Sequence, residues 1–203
     1  MAEKKYTPMM QHYLQMKEEN PDAILFYRLG DFYEMFFEDA KLVSQELDLV
    51  LTGRSAGVEE KVPMCGVPFH AANSYIQRLV KKGYKVAICE QLEDPSTAKG
   101  LVDRGIIKII TPGTYMDATM DAKSTNYMAS CDVSSFEITV IYCELSTGEL
   151  KYQTLQRSLV ALQKALLEQN VSELVCPMTM DKKWMAALEE MDTMLTLWMF
   201  FSV

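Results

Sequence analysis

Two kinds of apolar pattern alternate along this chain, and this alternation constrains its fold more than any other feature of the sequence. In some segments apolar residues recur every three or four positions, which predicts amphipathic helices. Between them lie short apolar runs that end at glycine, proline or polar turns, which predict strands. A chain in which helices and strands alternate in this way folds as an α/β protein. We therefore predict an α/β fold.

Local signals at the ends of these segments place the individual elements. Thr7-Pro8 supplies the hydroxyl and the proline that typically begin a helix, and Gly83 closes another helix. We predict helices from residue 8 to the Asn20-Pro21 stop and over 32–47, 71–82, 158–169 and 181–191. We predict strands over 23–27, 49–51, 61–67, 84–90, 106–110, 127–132, 136–145, 149–155 and 173–176.

A polar stretch without periodicity separates the two groups of elements. We therefore divide the chain into a first domain over 1–113, a linker over 114–126 and a second domain over 127–203. Residues 194–203 are strongly apolar and carry no stop signal, so we expect the chain to be a fragment that ends within its second domain.

Charge and composition exclude several classes of protein. The formal net charge is −8, with −2 on residues 1–112 and −6 on residues 113–203. This acidity argues against a non-specific nucleic-acid coat but leaves DNA contact by the basic stretch 53–108 open. Five scattered cysteines and two histidines form no zinc or disulfide pattern. Without a secretion signal, a membrane-spanning run, or a nucleotide or nucleophile motif, we expect a soluble, cytoplasmic, non-catalytic chain.

The most informative segment is LFYRLGDFYEMFFEDA, residues 25–40. We interpret it as a strand that leads through Gly30 and Asp31 into a helix, with Asp31 as N-cap and Glu34 in a capping box. Its aromatic residues are too numerous for one helix face, so at least one ring should lie near the surface. Two interpretations stay open: core aromatics beside an ordinary cap, or an exposed ring beside a carboxylate that recognises a base.

The block GDFYEMFFEDA resembles the mismatch-recognition motif of the MutS family of DNA mismatch repair proteins, which has Phe-x-Glu in this context. The resemblance covers almost the whole chain, in blocks that follow the family's order and spacing. These blocks are TPMMQHYLQMK (7–17), LTGR (51–54), PMCGVPFHA (63–71), VAICEQLEDP (86–95), KGLVDRGIIKIITPGT (99–114) and ELSTGEL (144–150). Cys65 and Phe69 replace the alanine and tyrosine that family members usually carry, so position 69 lacks a hydroxyl.

The resemblance implies a mixed-sheet mismatch-recognition domain with surrounding helices, and a DNA site within it. Phe32 would insert from the minor groove and stack at the mispaired base, Glu34 would hydrogen-bond to that base, and Met64 would lie beside the groove. Such a site reads poor pairing rather than sequence, because a mismatched step costs less to unstack and kink. The candidates for contacts to backbone phosphates are Arg54, Arg104 and Lys108.

The same resemblance implies that residues 127–203 are part of a connector domain with a ribonuclease H-like fold. It implies mismatched double-stranded DNA as the ligand, the mismatch repair protein MutL as a partner that binds the connector, and homodimers of full-length relatives. ATP and magnesium would act in domains of those relatives that this chain lacks. We therefore expect no cofactor here.

The sequence also leaves two other functions open. A metal-dependent nuclease of the ribonuclease H-like fold needs converging carboxylates, and Asp132, Glu137 and Glu144 are the acids on the predicted hairpin strands. Because Asp132 and Glu137 flank a turn and no further acid joins them, we interpret all three as turn and edge acids. The other alternative is a protein-interaction module in which the acidic residues 113–203 dock a repair partner.

Overall fold

The structure, a computed structural model, describes residues 6–93, 102–116 and 126–198. The chain forms two compact units, Met1–Ile110 and Thr111–Val203. The turn after Ile110 belongs to the second unit because the carboxylate of Glu173 accepts hydrogen bonds from the Thr111 hydroxyl and, at 3.1 Å, from the backbone N–H of Gly113.

Within the described residues, the first unit has a six-stranded mixed sheet and three α-helices. The helices are α1 (Pro8–Glu19), α2 (Phe37–Leu47) and α3 (Ala72–Lys81). The strands are β1 (Ala23–Leu29), β2 (Phe32–Phe36), β3 (Thr52–Arg54), β4 (Val62–Pro68), β5 (Lys85–Gln91) and β6 (Arg104–Ile110). The strand order is β3-β4-β2-β1-β5-β6, in which β1 and β5 are parallel and the other neighbours are antiparallel.

Helix α1 covers one face of this sheet. It begins as predicted, with the Thr7 hydroxyl accepting from the backbone N–H of Met10 at 3.4 Å. Its buried side chains join a core cluster with one face of β1, β2 and β5, including Met10, Tyr13, Met16, Leu25, Tyr27, Phe36, Ala87 and Cys89. The alternate strand residues, such as the buried Ile24 and Phe26, point to the opposite face.

The predicted helix over 32–47 is wrong in its first part, because residues 32–36 form strand β2. Gly30 takes a φ of +58°, which lets Gly30 and Asp31 form a two-residue turn that returns the chain antiparallel to β1. Asp31 is therefore a hairpin residue whose carbonyl accepts from the N–H of Phe69 at 2.9 Å, and not an N-cap. Aromatic residues also favour strand over helix.

The predicted strand over 49–51 is misplaced as well. Helix α2 ends at Asp48, which takes a left-handed φ of +57°, and residues 49–51 form the connection to β3. The strand begins only at Thr52, where pairing with β4 becomes available. The remaining predicted elements of this unit are confirmed, with ends that differ by one or two residues.

The second unit, over its described residues, has a five-stranded sheet of order β11-β10-β7-β8-β9. Its elements are β7 (Tyr127–Val133), β8 (Glu137–Glu144), β9 (Glu149–Gln156), α4 (Leu159–Glu168), β10 (Val171–Pro177), α5 (Lys182–Glu189) and β11 (Met194–Trp198). Strands β7 to β9 form an antiparallel meander, and β10 and β11 run parallel to β7. The predicted hairpins and helices are confirmed, with Ser158 and Asp181 as N-caps. Across the ranges that the structure describes, no helix is both long enough and apolar enough to span a membrane.

Candidate nucleic-acid interface

Strand β2 presents Phe32 and Glu34 on the same face of the first sheet. Because side chains alternate along a strand, residues two positions apart point the same way. Phe32 is 46% exposed, whereas Tyr33 and Met35 point to the other face and are buried. The expectation that one ring of this segment lies near the surface is therefore confirmed, and that ring is Phe32.

Pairing across the sheet brings two more predicted residues to this face. Phe36 lies opposite Met64 on β4, and Met64 lies opposite Thr52 on β3, which puts Arg54 on the same face two residues further along. Met64 is partly buried against the α1 core cluster. We call the resulting set the β2 surface, which consists of Phe32, Glu34, Arg54 and Met64.

An ion pair joins two members of the β2 surface. The Arg54 guanidinium donates to the Glu34 carboxylate, and their side chains are 38% and 16% exposed. Gly66 lies opposite Glu34 in the strand pairing, and a Cβ there would come within 3.4 Å of the Glu34 Cγ and 3.2 Å of the Tyr33 carbonyl. The missing side chain at Gly66 therefore leaves the space in which the Glu34 side chain lies.

The other two predicted phosphate contacts lie on β6, the opposite edge strand of the sheet. Arg104 is 7% exposed, and its guanidinium donates to the backbone carbonyls of Arg28 at 2.9 Å and Val102 at 2.7 Å. It therefore serves the fold and is not available for the predicted phosphate contact. Lys108 is exposed, but its pairing with Ile88 turns it toward the face opposite Glu34.

Phe69 is a second exposed ring, and it belongs to a cluster with Arg28, Tyr33 and Glu90 that the sequence did not predict. The Arg28 guanidinium lies 3.8 Å from the centre of the Phe69 ring and 3.4 Å from the Glu90 carboxylate, and the Tyr33 hydroxyl also donates to Glu90. Burial, followed by the hydrogen bond to Glu90, raises the pKa of Tyr33 to about 12. Directly paired residues of neighbouring strands lie on one face, which puts Arg28 and Tyr33 together. This signal is available only when residues 32–36 are predicted as a strand that pairs with β1.

A buried polar network anchors the far end of β2. The backbone N–H of Phe36 donates to the Tyr13 hydroxyl at 3.2 Å, and Asp39 accepts from Lys17 and from the N–H of Leu25, both at 2.9 Å. Burial, together with the neighbouring Asp39 charge, raises the pKa of Tyr13 well above its ordinary range. These bonds tie β2 to α1, α2 and β1, so the strand that carries Phe32 is fixed at its base.

Asp132 and Glu144, two of the acids that a nuclease site would need, do not converge, and the residue opposite Glu144 on β9 is Glu149. Asp132 lies opposite Thr139 and Glu144 opposite Tyr127, so the two acids are five residues apart along the hairpin, or roughly 17 Å at about 3.4 Å per residue. The Thr147 and Ser146 hydroxyls lower the pKa of Glu144, which caps its own turn. Over the described part of the chain, no group of three His, Cys, Asp or Glu side chains could hold a metal ion. This geometry gives the nuclease alternative no support.

Known proteins are similar to this chain over the segment that contains the β2 surface. Residues 7–119 match the family model for MutS domain I. The chain is 53% identical over 177 residues to the DNA mismatch repair protein MutS of Clostridium botulinum, an alignment that covers 82% of this chain and 19% of that protein. It is 58% identical over 146 residues to the DNA mismatch repair protein MutS of Clostridium tetani, covering 71% of this chain and 17% of that protein.

The chain thus spans about a fifth of the length of these relatives. A solved structure of the foamy viral protease-reverse transcriptase dRH in complex with double-stranded DNA covers 39% of this chain and 20% of its own, with a TM-score of 0.27 and 14% identity. A likeness that low carries no argument about fold or function. The family model covers more than half of the chain and the curated relatives most of it, and the chain belongs to the MutS family.

Proposed function

We propose that this chain recognises mismatched double-stranded DNA in DNA mismatch repair, through the β2 surface. The observation that carries the proposal is the placement of an exposed aromatic ring, Phe32, on the same strand face as a carboxylate, Glu34. Membership of a family whose curated relatives are DNA mismatch repair proteins supports it.

In this proposal Phe32 acts as a wedge. Apolar side chains that insert between base steps from the minor groove unstack them at a cost of a few kcal/mol per step and kink the duplex. A mispaired step is already weakly stacked and easily deformed, so the wedge enters it at a lower cost than a paired step. The buried network around Tyr13 and Asp39 holds β2 in place, which keeps the ring preorganised for insertion.

Glu34 supplies the polar half of the recognition. Its carboxylate lies two residues from the wedge on the same face and hydrogen-bonds to the displaced base. A carboxylate close to phosphates is unfavourable unless a base partner compensates it, which penalises intact duplex. Met64 lies beside the groove, and Arg54 and the exposed Lys108 are the candidates for phosphate contacts.

The second unit is proposed to be the first part of a connector domain with a ribonuclease H-like fold. Its antiparallel meander, followed by two parallel strands that are each reached through a helix, supports this assignment. The exposed apolar side chains Ile141, Leu150 and Tyr152 support a docking role, for which we propose MutL as the partner. ATP-dependent signalling and homodimer formation are proposed to reside in the remainder of the full-length relatives, and we propose that this protein acts in the cytoplasm.

A competition titration at low salt tests the proposal. It compares the affinity of the 203-residue chain for a duplex with one G·T pair or one unpaired T and for the same duplex fully paired. We expect the mismatched duplex to bind at least about tenfold more tightly, equivalent to about 1.4 kcal/mol. Equal affinities, or no binding to either duplex, would contradict the proposal.

Phe136→Ala is the matched control for Phe32→Ala. Phe136 is 89% exposed in the turn between β7 and β8, so its removal takes away an exposed ring without touching the β2 surface. We expect Phe136→Ala to keep the mismatch preference and Phe32→Ala to lose it. Loss of the preference in both variants would show that the effect does not belong to the Phe32 ring.

A further inference from the structure

The Glu34 carboxylate, which we propose recognises the base, is engaged by a side chain of the same chain. Glu34 is bonded to Arg54, and only 16% of its side chain is exposed. The Arg54 guanidinium donates through one nitrogen to Oε2 of Glu34, so it uses part of the hydrogen-bonding capacity of a carboxylate that has about four acceptor sites. A base N–H that approaches this partly buried carboxylate therefore meets the positive charge of Arg54 beside its acceptor.

Arg54 is the less enclosed of the two partners, and besides Glu34 its guanidinium lies over the Phe36 ring, 6.0 Å from the ring centre. It ends β3, a strand of three residues at the edge of the sheet that pairs only with β4, whereas Glu34 lies within β2 between two neighbouring strands. The Arg54 side chain is also more than twice as exposed as that of Glu34. Exchange of partners thus costs a rotation of the arginine side chain and leaves the sheet intact.

Duplex DNA offers Arg54 a replacement partner. The planar guanidinium binds phosphate oxygens through two parallel hydrogen bonds as well as it binds a carboxylate. A wedge at Phe32 brings the nucleic-acid backbone to the face on which Arg54 lies. Movement of the guanidinium from Glu34 to a phosphate would free the carboxylate at the moment when the displaced base presents its N–H.

We propose that Arg54 is a specificity-determining residue that shields Glu34 and releases it, by transfer to a phosphate, only on mismatched DNA. The inference rests on the proposed function and adds how access of the base to Glu34 is regulated. On intact duplex the transfer would leave the Glu34 carboxylate unpaired beside phosphates, which is costly. On a mismatched duplex the base N–H replaces the lost partner, so the Arg54–phosphate contact and the Glu34–base contact form together.

The exchange has a measurable signature in salt. Each phosphate contact adds about 0.9 to the slope of log affinity against log salt concentration. The wild-type slope is therefore steeper by about 0.9 for the mismatched duplex than for the paired one. Between about 50 and about 200 mM salt this amounts to a roughly threefold greater loss of affinity for the mismatched duplex.

Two substitutions abolish this difference for opposite reasons. In Arg54→Gln the extra phosphate contact is lost, so the slope for the mismatched duplex falls to that for the paired duplex. In Glu34→Gln the Arg54 guanidinium has no carboxylate partner and binds phosphate on either duplex. The slope for the paired duplex therefore becomes as steep as the slope for the mismatched duplex. Arg54→Lys keeps the positive charge, so we expect the slope difference to remain. If substitution of Arg54 instead acted through a folding defect, Arg54→Lys would lose the slope difference as well.

Lys164→Gln is the control for removal of a positive charge. Lys164 belongs to an exposed pair with Glu168 at 3.6 Å in the second unit, and its loss leaves both slopes unchanged. Equal wild-type slopes, or an Arg54→Gln variant in which both slopes fall equally, would overturn the exchange while leaving mismatch recognition intact. Failure of the proposed function is a different result, namely a wild-type chain with no mismatch preference at any salt concentration.

Discussion

Two arginine–glutamate pairs lie on opposite faces of the first sheet, and they differ in what surrounds them. Arg28 and Glu90 lie on the neighbouring interior strands β1 and β5, where the Tyr33 hydroxyl also binds Glu90 and the Phe69 ring covers the guanidinium. Arg54 and Glu34 join the edge strand β3 to β2 beside the exposed Phe32.

The same pair of residue types can stabilise the fold in one setting and add little to stability in another. A charge pair with further bonds on each partner holds the fold, because removal of one partner leaves the others unsatisfied. A pair at a sheet edge with one exposed partner contributes little to stability. Arg28–Glu90 is therefore the structural pair of this sheet, and Arg54–Glu34 is the pair for which we propose a role in recognition.

The largest effect is expected from Arg28→Ala. This change leaves the half-buried Glu90 carboxylate without its cation and removes the contact between the guanidinium and the Phe69 ring, and we expect the free energy of unfolding to fall by about 2 kcal/mol. Urea unfolding of the wild type and the variant measures it. A loss below about 0.5 kcal/mol would mean that the interior pair is not structural.

Phe32→Ala and Phe69→Ala compare the two exposed rings. We expect Phe32→Ala to lower the ratio of affinities for mismatched and paired duplex by at least about tenfold, since it removes the wedge. Phe69→Ala should keep that ratio, because its ring covers Arg28 on the other face. Equal effects of the two variants would remove the distinction between the faces.

Arg54→Ala should cost less stability than Arg28→Ala. The pair with Glu34 is partly exposed and lies at a sheet edge, so we expect the free energy of unfolding to fall by less than about 1 kcal/mol. The same urea experiment measures it. A loss as large as that of Arg28→Ala would make the edge pair a second structural pair.

Alkaline pH tests the contribution of the Tyr33 hydroxyl, which donates to Glu90 of the interior pair. Because the pKa of Tyr33 is raised to about 12 from an ordinary value near 10, its contribution to stability is complete below about pH 10 and is lost as the pH rises toward about 12. Tyr33→Phe should therefore lose less stability than the wild type over this window. Urea unfolding at a series of pH values tests this, and an unchanged alkaline loss would contradict it.

The smallest effect is expected from Lys108→Gln. Its side chain lies on the far edge strand and faces away from Glu34, so it can contribute only a phosphate contact that does not distinguish the two duplexes. We expect both affinities to fall by about two- to threefold with an unchanged ratio. A changed ratio in the competition titration would extend the recognition surface to β6.

Local signals account for the elements that the sequence predicted well. The Thr7 cap, the Ser158 and Asp181 caps and the glycine after α3 act within a few residues, so they are readable without tertiary structure. The prediction at Gly30-Asp31 is wrong because the same two residues suit a helix start and a hairpin turn. Pairing of residues 32–36 with β1 and β4 decides between these outcomes, and that pairing is not local.

The candidate site shows the same limit. The resemblance to the MutS family placed Phe32, Glu34, Arg54 and Met64 in one site, but the helix predicted for 32–47 would have turned Phe32 and Glu34 to different sides. The strand puts them on one face, and strands far apart in sequence bring Arg54 to Glu34. The burial of Arg104 also follows from packing against β1, which no sequence pattern near it reveals.

The bend of a mismatched duplex shows whether Phe32 acts as a wedge. Energy transfer between dyes at the two ends of a short duplex with one unpaired T reports the kink that a wedge produces. We predict that the wild-type chain shortens the end-to-end distance of this duplex and leaves the paired duplex straight, and that Phe32→Ala, although bound at saturating concentration, bends neither. The same bend with Phe32→Ala as with the wild type would contradict the account.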